Sequence, residues 1–329
     1  MPPSPCLTLV VPALPAQTSD ASMLLARLAG RGEFSRKWHA ASPDEARLQA
    51  WQRGLLATLG LDEASHPSAP VTALALNHDA VAARWLQADA IHLAAGLNEV
   101  TWIPLSGDFE LTAEECAALT PTLHDHLLGN DLKLHRTSAN SWLIESTEDW
   151  QVETVSAEFA LRREWRDALP SGAGAGALRR LMTELQMVLH EHPVNTRRAA
   201  KGMPAVNALW LWGNGSLAQQ HAARALACSG CSDYLRGLAR LHGWAYAAET
   251  SADRMLAQSV ESPHVLAFVE VSVLNEFETQ WLTPLVDALK RGRIRRLQLI
   301  IDSWEIKIDR WRLTAFWRRD LPLSAWERS

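Results

Sequence analysis

The sequence predicts an α/β fold with a mainly parallel central sheet flanked by helices. Three observations carry this expectation. Largely apolar runs of strand length recur at Leu7–Val11 (LTLVV), Ala208–Trp212 (ALWLW), Val265–Val271 (VLAFVEV) and Leu297–Ile301 (LQLII), and such runs suit strands buried on both faces. Amphipathic helical stretches separate them, as crossover connections require. The chain has 329 residues, 47 % of them hydrophobic, enough for one large core or two modest ones.

In chain order, Pro12 ends the first strand. Ser19 or Asp20 is placed to cap a helix with Met23, Leu24 and Leu28 on one face. Ser42-Pro43-Asp44-Glu45 is a helix start signal, followed by Leu48, Trp51, Leu55 and Leu59 before Gly60. Asp62 to Pro70 reads as loop. WLQADAIHL and NEVTWIPL read as short strands. Thr112 and Glu115 form a capping box ahead of Leu119, Leu123 and Leu127. Lys133 to Glu145 reads as a hairpin. The Gly-Ala alternation from Ser171 to Gly176 predicts a flexible joint, and the helix after it puts Leu178, Leu181, Met182, Leu185 and Leu189 on one stripe. Pro193 should stop that helix. Later, Asp233 is placed to cap a helix over Tyr234–Leu238, and Trp281–Leu289 is amphipathic. Its trailing Lys290, Arg291 and Arg293 complement the helix dipole. Trp304–Ile308 alternates like a half-exposed strand.

Composition excludes several function classes. The net charge of −5 and pI of about 6.2 give no basic balance for nucleic acid. No apolar run is long enough to span a bilayer, and the N-terminus lacks a signal-peptide pattern. A cytoplasmic protein without a membrane partner is therefore expected. Cys228 and Cys231 have C-x-x-C spacing, but no second pair completes a zinc site; with Cys6 and Cys116 they read as reduced thiols. Asp89 and His92 are more simply structural hydrogen-bonding groups than chemistry. His124 and His126, two apart on a helix, face different ways. Gly213-Asn214-Gly215 lacks the lysine and spacing of a phosphate loop. Fifteen tryptophans find no reason in the sequence beyond packing.

The stretch from Leu189 to Gly215 holds the densest signal: H-P-V-N at His192–Asn195, cations Arg197, Arg198 and Lys201, G-x-P at Gly202–Pro204, and N-A-L-W-L-W-G at Asn207–Gly213. This pattern resembles the archaeal-type cofactor-independent phosphoglycerate mutases, and more closely a bacterial group of RpfE-type regulatory proteins that look like degenerate relatives of them. The similarity is best from about Pro70 to Gly215. It implies an alkaline-phosphatase-like core from residues 1–80 and 205–329, with 81–204 as an inserted α+β cap region. It also implies a serine nucleophile and two divalent metals held by Asp and His at strand ends.

The sequence departs from that chemistry. Where the family's first strand ends in Asp-Gly, this one ends in Pro12-Ala13. Where the family has V-E-A-P-D-E-A-G-H, Val273 and Phe277 occupy ligand positions, and where it has Asp-His, the chain has Asp302-Ser303. Asp302 is the one surviving candidate metal ligand. The nucleophile's place is taken by Ala69-Pro70-Val71-Thr72, and a threonine without metals is a poor nucleophile. The resemblance therefore implies no catalytic residue and no cofactor, and a ligand-binding set of His192, Asn195, Arg197, Lys201 and Asn207, whose cations suit a phosphate or carboxylate. The expected role is that of a catalytically impaired regulatory or metabolite-binding relative. An active mutase or phosphatase with an altered metal set, and a structural interaction module, stay open beside it. The expected partners are a phosphorylated small molecule and a protein reached through the Trp-rich C-terminal part (Trp304, Trp311, Trp317, Trp326).

Overall fold

A computed structural model of the chain describes residues 5–15, 22–37, 46–95, 100–105, 107–137, 141–162, 165–215, 217 and 226–328. The chain divides into two compact units, one of Met1–His39, Ala50–Gly60 and Gln220–Ser329, the other of Ala40–Gln49 and Leu61–Gln219. Among the described residues the strands are, in order, β1 Cys6–Val11, β2 Glu33–Arg36, β3 Arg84–Ala95, β4 Val100–Pro104, β5 Lys133–Arg136, β6 Trp142–Ser146, β7 Ala208–Trp212, β8 Ala227–Ser229, β9 Ala245–Ala247, β10 His264–Phe268, β11 Arg296–Ile301 and β12 Trp304–Asp309.

The first unit is the expected α/β layer. Its sheet runs β2-β12-β11-β1-β10-β8-β9, with β11, β1, β10, β8 and β9 mutually parallel and β12 and β2 antiparallel at one edge. Alternation in the strands serves both faces. Leu7, Leu9, Val265, Ala267, Leu297 and Leu299 join one core with Leu25 and Leu28 of helix Met23–Arg31, Met255 of helix Ala252–Gln258, and Leu285 and Leu289 of helix Thr283–Lys290. Toward the other face, Trp51 of helix Ala50–Leu59 meets Phe268 and Tyr234, ring centroids 5.0 and 5.8 Å away. Apolar strands covered on both faces are what a parallel sheet demands.

Three local expectations change in this unit. Ser19, Asp20 and the Ser42–Glu45 signal lie outside the described residues; Ser22 caps the first helix, its hydroxyl accepting from Leu25 N–H at 3.2 Å. Ser232, rather than Asp233, caps helix Asp233–His242. β12 is mostly buried instead of half-exposed, because β2 covers it and Trp304 stacks on Phe34 at 4.9 Å. Its inward-facing Glu305 is held by Gln298 at 2.7 Å, Lys37 at 2.6 Å and Lys307 at 2.8 Å, as a buried carboxylate must be.

The second unit is built on an antiparallel sheet around β3. β6 and β4 pair with successive halves of β3, and β7 pairs with its middle. The ALWLW strand is thus buried as expected but antiparallel, with Ala90 opposite Leu209. Helix Ala113–Leu128 opens with the complete Thr112–Glu115 capping box, and its Leu119, Leu123 and Leu127 join a core with Trp142, Trp210 and helix Ala175–His190. The 171–176 segment is not a joint. Ser171 and Glu153 exchange backbone hydrogen bonds at 2.9 and 3.0 Å, and Gly174 sits so close that a Cβ would lie 1.7 Å from the Trp150 carbonyl oxygen. Its glycines serve close backbone approach. Pro193 ends one helix and starts another, Pro193–Ala200, as a first-turn proline. Residues 68–75, read partly as loop, form a helix that buries Thr72.

The structure also gives three of the tryptophans a reason. Trp102, Trp142 and Trp210 are buried in the second core, and each indole N–H is tied down, to Ala160 O at 3.2 Å, Thr120 Oγ1 at 2.9 Å and Val155 O at 2.9 Å. Each fills core volume and fixes one polar contact. No helix among the described residues is long and apolar enough to cross a membrane.

Candidate functional site

Open parallel sheets bind ligands beyond the carboxyl ends of their strands. In the first unit that edge is formed by Val11 of β1, Phe268 of β10, Ile301 of β11 and Ser229 of β8. The chain continues from these points through Pro12, Val269-Glu270, Asp302-Ser303 and Gly230-Cys231. Asp302 has a left-handed backbone, φ 50°; its N–H donates to Val11 O at 2.9 Å and its carboxylate accepts from Ser303 Oγ at 3.2 Å. Glu270 is exposed and stands near Cys231, whose thiol is raised by burial and then by the Glu270 charge. Val273 is exposed and apolar, while Phe277 is a core residue.

The two-metal centre implied by the resemblance needs several carboxylates and imidazoles in one place. The residues continuing these strands do not fit it: they offer two carboxylates, a thiol and no histidine. No group of three or more His, Cys, Asp or Glu among the described residues is disposed to hold a metal. The C-x-x-C pair is likewise split, Cys228 buried in β8 with its thiol pushed up to about 12 by burial, Cys231 exposed.

The five ligand-binding candidates all lie in the second unit, and the fold gives them two kinds of work. Asn195 donates from Nδ2 to Leu189 O and Val206 O, each at 2.9 Å, and accepts from Val206 N–H at 2.7 Å. Asn207 pairs with both backbone groups of Leu93, accepting at 2.7 Å and donating at 2.8 Å, so its amide continues the β7–β3 ladder like a peptide group. Both amides are committed to backbone.

His192 caps helix Pro193–Ala200 by accepting from Val194 N–H at 3.3 Å. Its imidazole is held below the ordinary value by burial and then by the Arg197 charge, which places Arg197 beside it. Arg197 and Lys201 are exposed and, four apart, share a helix face. The candidate anion site therefore comprises Arg197, Lys201 and the edge of His192.

Two further groups take their roles from the fold. Arg198 is fully buried, donating to Glu115 Oε2 at 2.9 Å, Pro204 O at 2.8 Å and Phe109 O at 2.7 Å. Nothing in the string RRAAK separates it from Arg197; the helical period does so only once the buried Val194 fixes the face. Asp89 accepts from Trp212 Nε1 at 2.6 Å and from Gln87 Nε2 at 3.4 Å, and burial, against these two bonds, raises its carboxyl to about 6. His92 does not join it; its Nδ1 meets Ala205 O at 2.9 Å.

These features define an α/β protein with a mostly parallel central sheet flanked by helices. In parts of its sequence it is similar to cofactor-independent phosphoglycerate mutases. A 2,3-bisphosphoglycerate-independent phosphoglycerate mutase of Methanothrix thermoacetophila is 39 % identical over 83 residues, 24 % of this chain and 21 % of the relative. That of Methanosarcina barkeri is 27 % identical over 108 residues, 32 % and 27 % of the two chains. A probable enzyme of the same name from Geobacter sulfurreducens is 47 % identical over 47 residues, 14 % and 12 %. The chain thus spans less than a third of the length of these curated relatives. No family model matches it. Among solved structures, the PH0037 protein of Pyrococcus horikoshii aligns over 93 % of this chain and 86 % of its own, with TM-score 0.50 and 13 % identity, a likeness of fold. The cofactor-independent phosphoglycerate mutase of Thermoplasma acidophilum aligns over 93 % and 90 %, with TM-score 0.41 and 15 % identity.

Proposed function

We propose that this chain is a catalytically impaired, cytoplasmic relative of the cofactor-independent phosphoglycerate mutases, of the RpfE-type regulatory kind, that binds a phosphorylated metabolite instead of transforming it. The observation that carries the reading is the carboxyl edge of the parallel sheet, where Pro12, Val273 and Phe277 stand at positions the resemblance assigns to metal ligands. A two-metal mechanism without ligands has nothing to polarise the phosphoryl group or activate a hydroxyl. The cations on helix Pro193–Ala200 and its C-cap support the binding half of the proposal, since Arg197 and Lys201 are exposed and meet no carboxylate among the described residues.

The test is a calorimetric titration of chelator-treated protein with manganese and then zinc, followed by 3-phosphoglycerate. The expected result is no tight metal binding, no mutase turnover, and anion binding that falls about tenfold in Arg197→Ala, the loss of one charge-assisted contact. Tight binding of two metal equivalents with turnover would overturn the proposal in favour of an active mutase with a rebuilt site. Absence of both metal and anion binding would leave the structural interaction role.

A further inference from the structure

The segment Arg310–Arg319 reads RWRLTAFWRR, four arginines and no carboxylate in ten residues of a chain whose net charge is −5. Trp311, Phe316 and Trp317 are 84 %, 81 % and 71 % exposed, and the last two rings meet edge to face at 5.4 Å. The backbone that displays them is fixed. Ala315 is buried and Leu313 packs on the first core. Arg312 is paired with Glu33 and Asp309, and Arg318 donates to the carbonyls of Arg31 and Gly32 at 3.3 and 3.4 Å. Arg310 lies over Gly292, where a Cβ would sit 3.5 Å from its Nη1, so it stands beside the exposed Arg291 and Arg293.

We propose that this patch is a peripheral docking surface for an anionic lipid bilayer. The cations call for a polyanionic occupant. The form of the aromatics selects the bilayer among polyanions. Side chains exposed to this degree project from the surface, whereas a ring that stacks a base lies flat on a groove wall. A projecting indole or phenyl ring gains most from a soft interface that closes around it, with arginine heads at the phosphates. The expectation of no membrane partner rested on the lack of a spanning run, and a peripheral contact needs none.

The test is co-sedimentation of the full chain with phosphatidylcholine vesicles containing roughly one-third phosphatidylserine, against phosphatidylcholine alone. Binding is expected to the mixed vesicles and to fall with added salt. Arg310→Ala should weaken it about fivefold, one interfacial charge's worth, and Trp311→Ala or Trp317→Ala about tenfold each. Thermal unfolding of these variants should be unchanged, because the side chains are exposed. No vesicle binding, or binding indifferent to the three substitutions, overturns the proposal. So does binding of an oligothymidylate, but not of vesicles, that the same substitutions abolish.

Discussion

Replacing Arg198 with methionine should destabilise the second unit more than any change at the neighbouring Arg197. The guanidinium is fully buried and makes three bonds: to Glu115 at 2.9 Å, to Pro204 O at 2.8 Å and to Phe109 O at 2.7 Å. Methionine leaves a buried carboxylate facing no cation and two carbonyls without their donor. Breaking a buried pair from one side costs about 3–5 kcal/mol, and the orphaned carbonyls keep the loss at the upper end of that range. At about 2–4 °C per kcal/mol for a unit of this size, Tm should fall by about 10 °C or more.

The control is Glu115→Gln, which keeps an oxygen for Thr112 N–H, bonded at 2.9 Å in the capping box, and removes the charge. Urea unfolding of wild type, both single variants and the double variant measures the coupling. It should exceed about 2 kcal/mol, because the second substitution removes a charge the first has already stranded. A loss below about 1 kcal/mol in Arg198→Met, or additive single effects, would refute the view that this residue rivets helix Pro193–Ala200 to helix Ala113–Leu128.

Three further outcomes are expected. Burial raises the Asp89 carboxyl from an ordinary 3.8 to about 6, so the folded state holds its proton more tightly and rising pH from about 4 to 6 lowers stability; Asp89→Asn should flatten that slope and gain up to about 3 kcal/mol at pH 7.5, read from urea midpoints at the two pH extremes. Gly174→Ala, whose Cβ would lie 1.7 Å from the Trp150 carbonyl oxygen, should cost about 2 kcal/mol or more, and an unchanged Tm would show that the 171–176 segment is the loose joint its composition suggests. Cys231, raised by burial and by Glu270, should react with iodoacetamide more slowly than a free thiol and faster in Glu270→Gln, while Cys116, pushed up to about 11, and Cys228 stay unmodified; mass spectrometry of the digested protein reads all three.

Much of the parallel layer was legible because three of its strands are largely apolar runs of strand length, a pattern that suits burial on both faces. Leu7–Val11, Val265–Phe268 and Leu297–Ile301 sit where the runs place them. The ALWLW run shows the limit of that signal: an antiparallel strand clamped between a helix and a core is as apolar as a parallel one, so its pairing with β3 left no trace in composition. The 171–176 segment fails for a related reason, since glycine marks close approach and looseness alike. Of the candidate site, the charges of Arg197 and Lys201 were readable, but the commitments of Asn195 and Asn207 were not. Both amides reach backbone groups through contacts that sequence spacing does not encode, Leu93 lying 114 positions from Asn207.

That last point bears on what the resemblance itself reports. The H-P-V-N, Arg198, G-x-P and Asn207 positions that carry it are largely structural: His192 caps, Asn195 closes the 206 loop, Arg198 holds Phe109, Glu115 and Pro204, and Asn207 extends a ladder. Such residues serve the fold whether or not chemistry accompanies it. Similarity confined to segments covering 24 % and 32 % of the chain is therefore evidence about architecture first. The positions that the resemblance assigns to metal ligands stand elsewhere, beyond the carboxyl edge of the parallel sheet, and there the side chains are a proline, a valine, a core phenylalanine and Asp302. On the proposed reading, a metal ligand introduced at Phe277 would have to leave a core in which that side chain is 3 % exposed, at about 3–5 kcal/mol for the lost aromatic. The packing that stabilises the first unit would oppose that exchange.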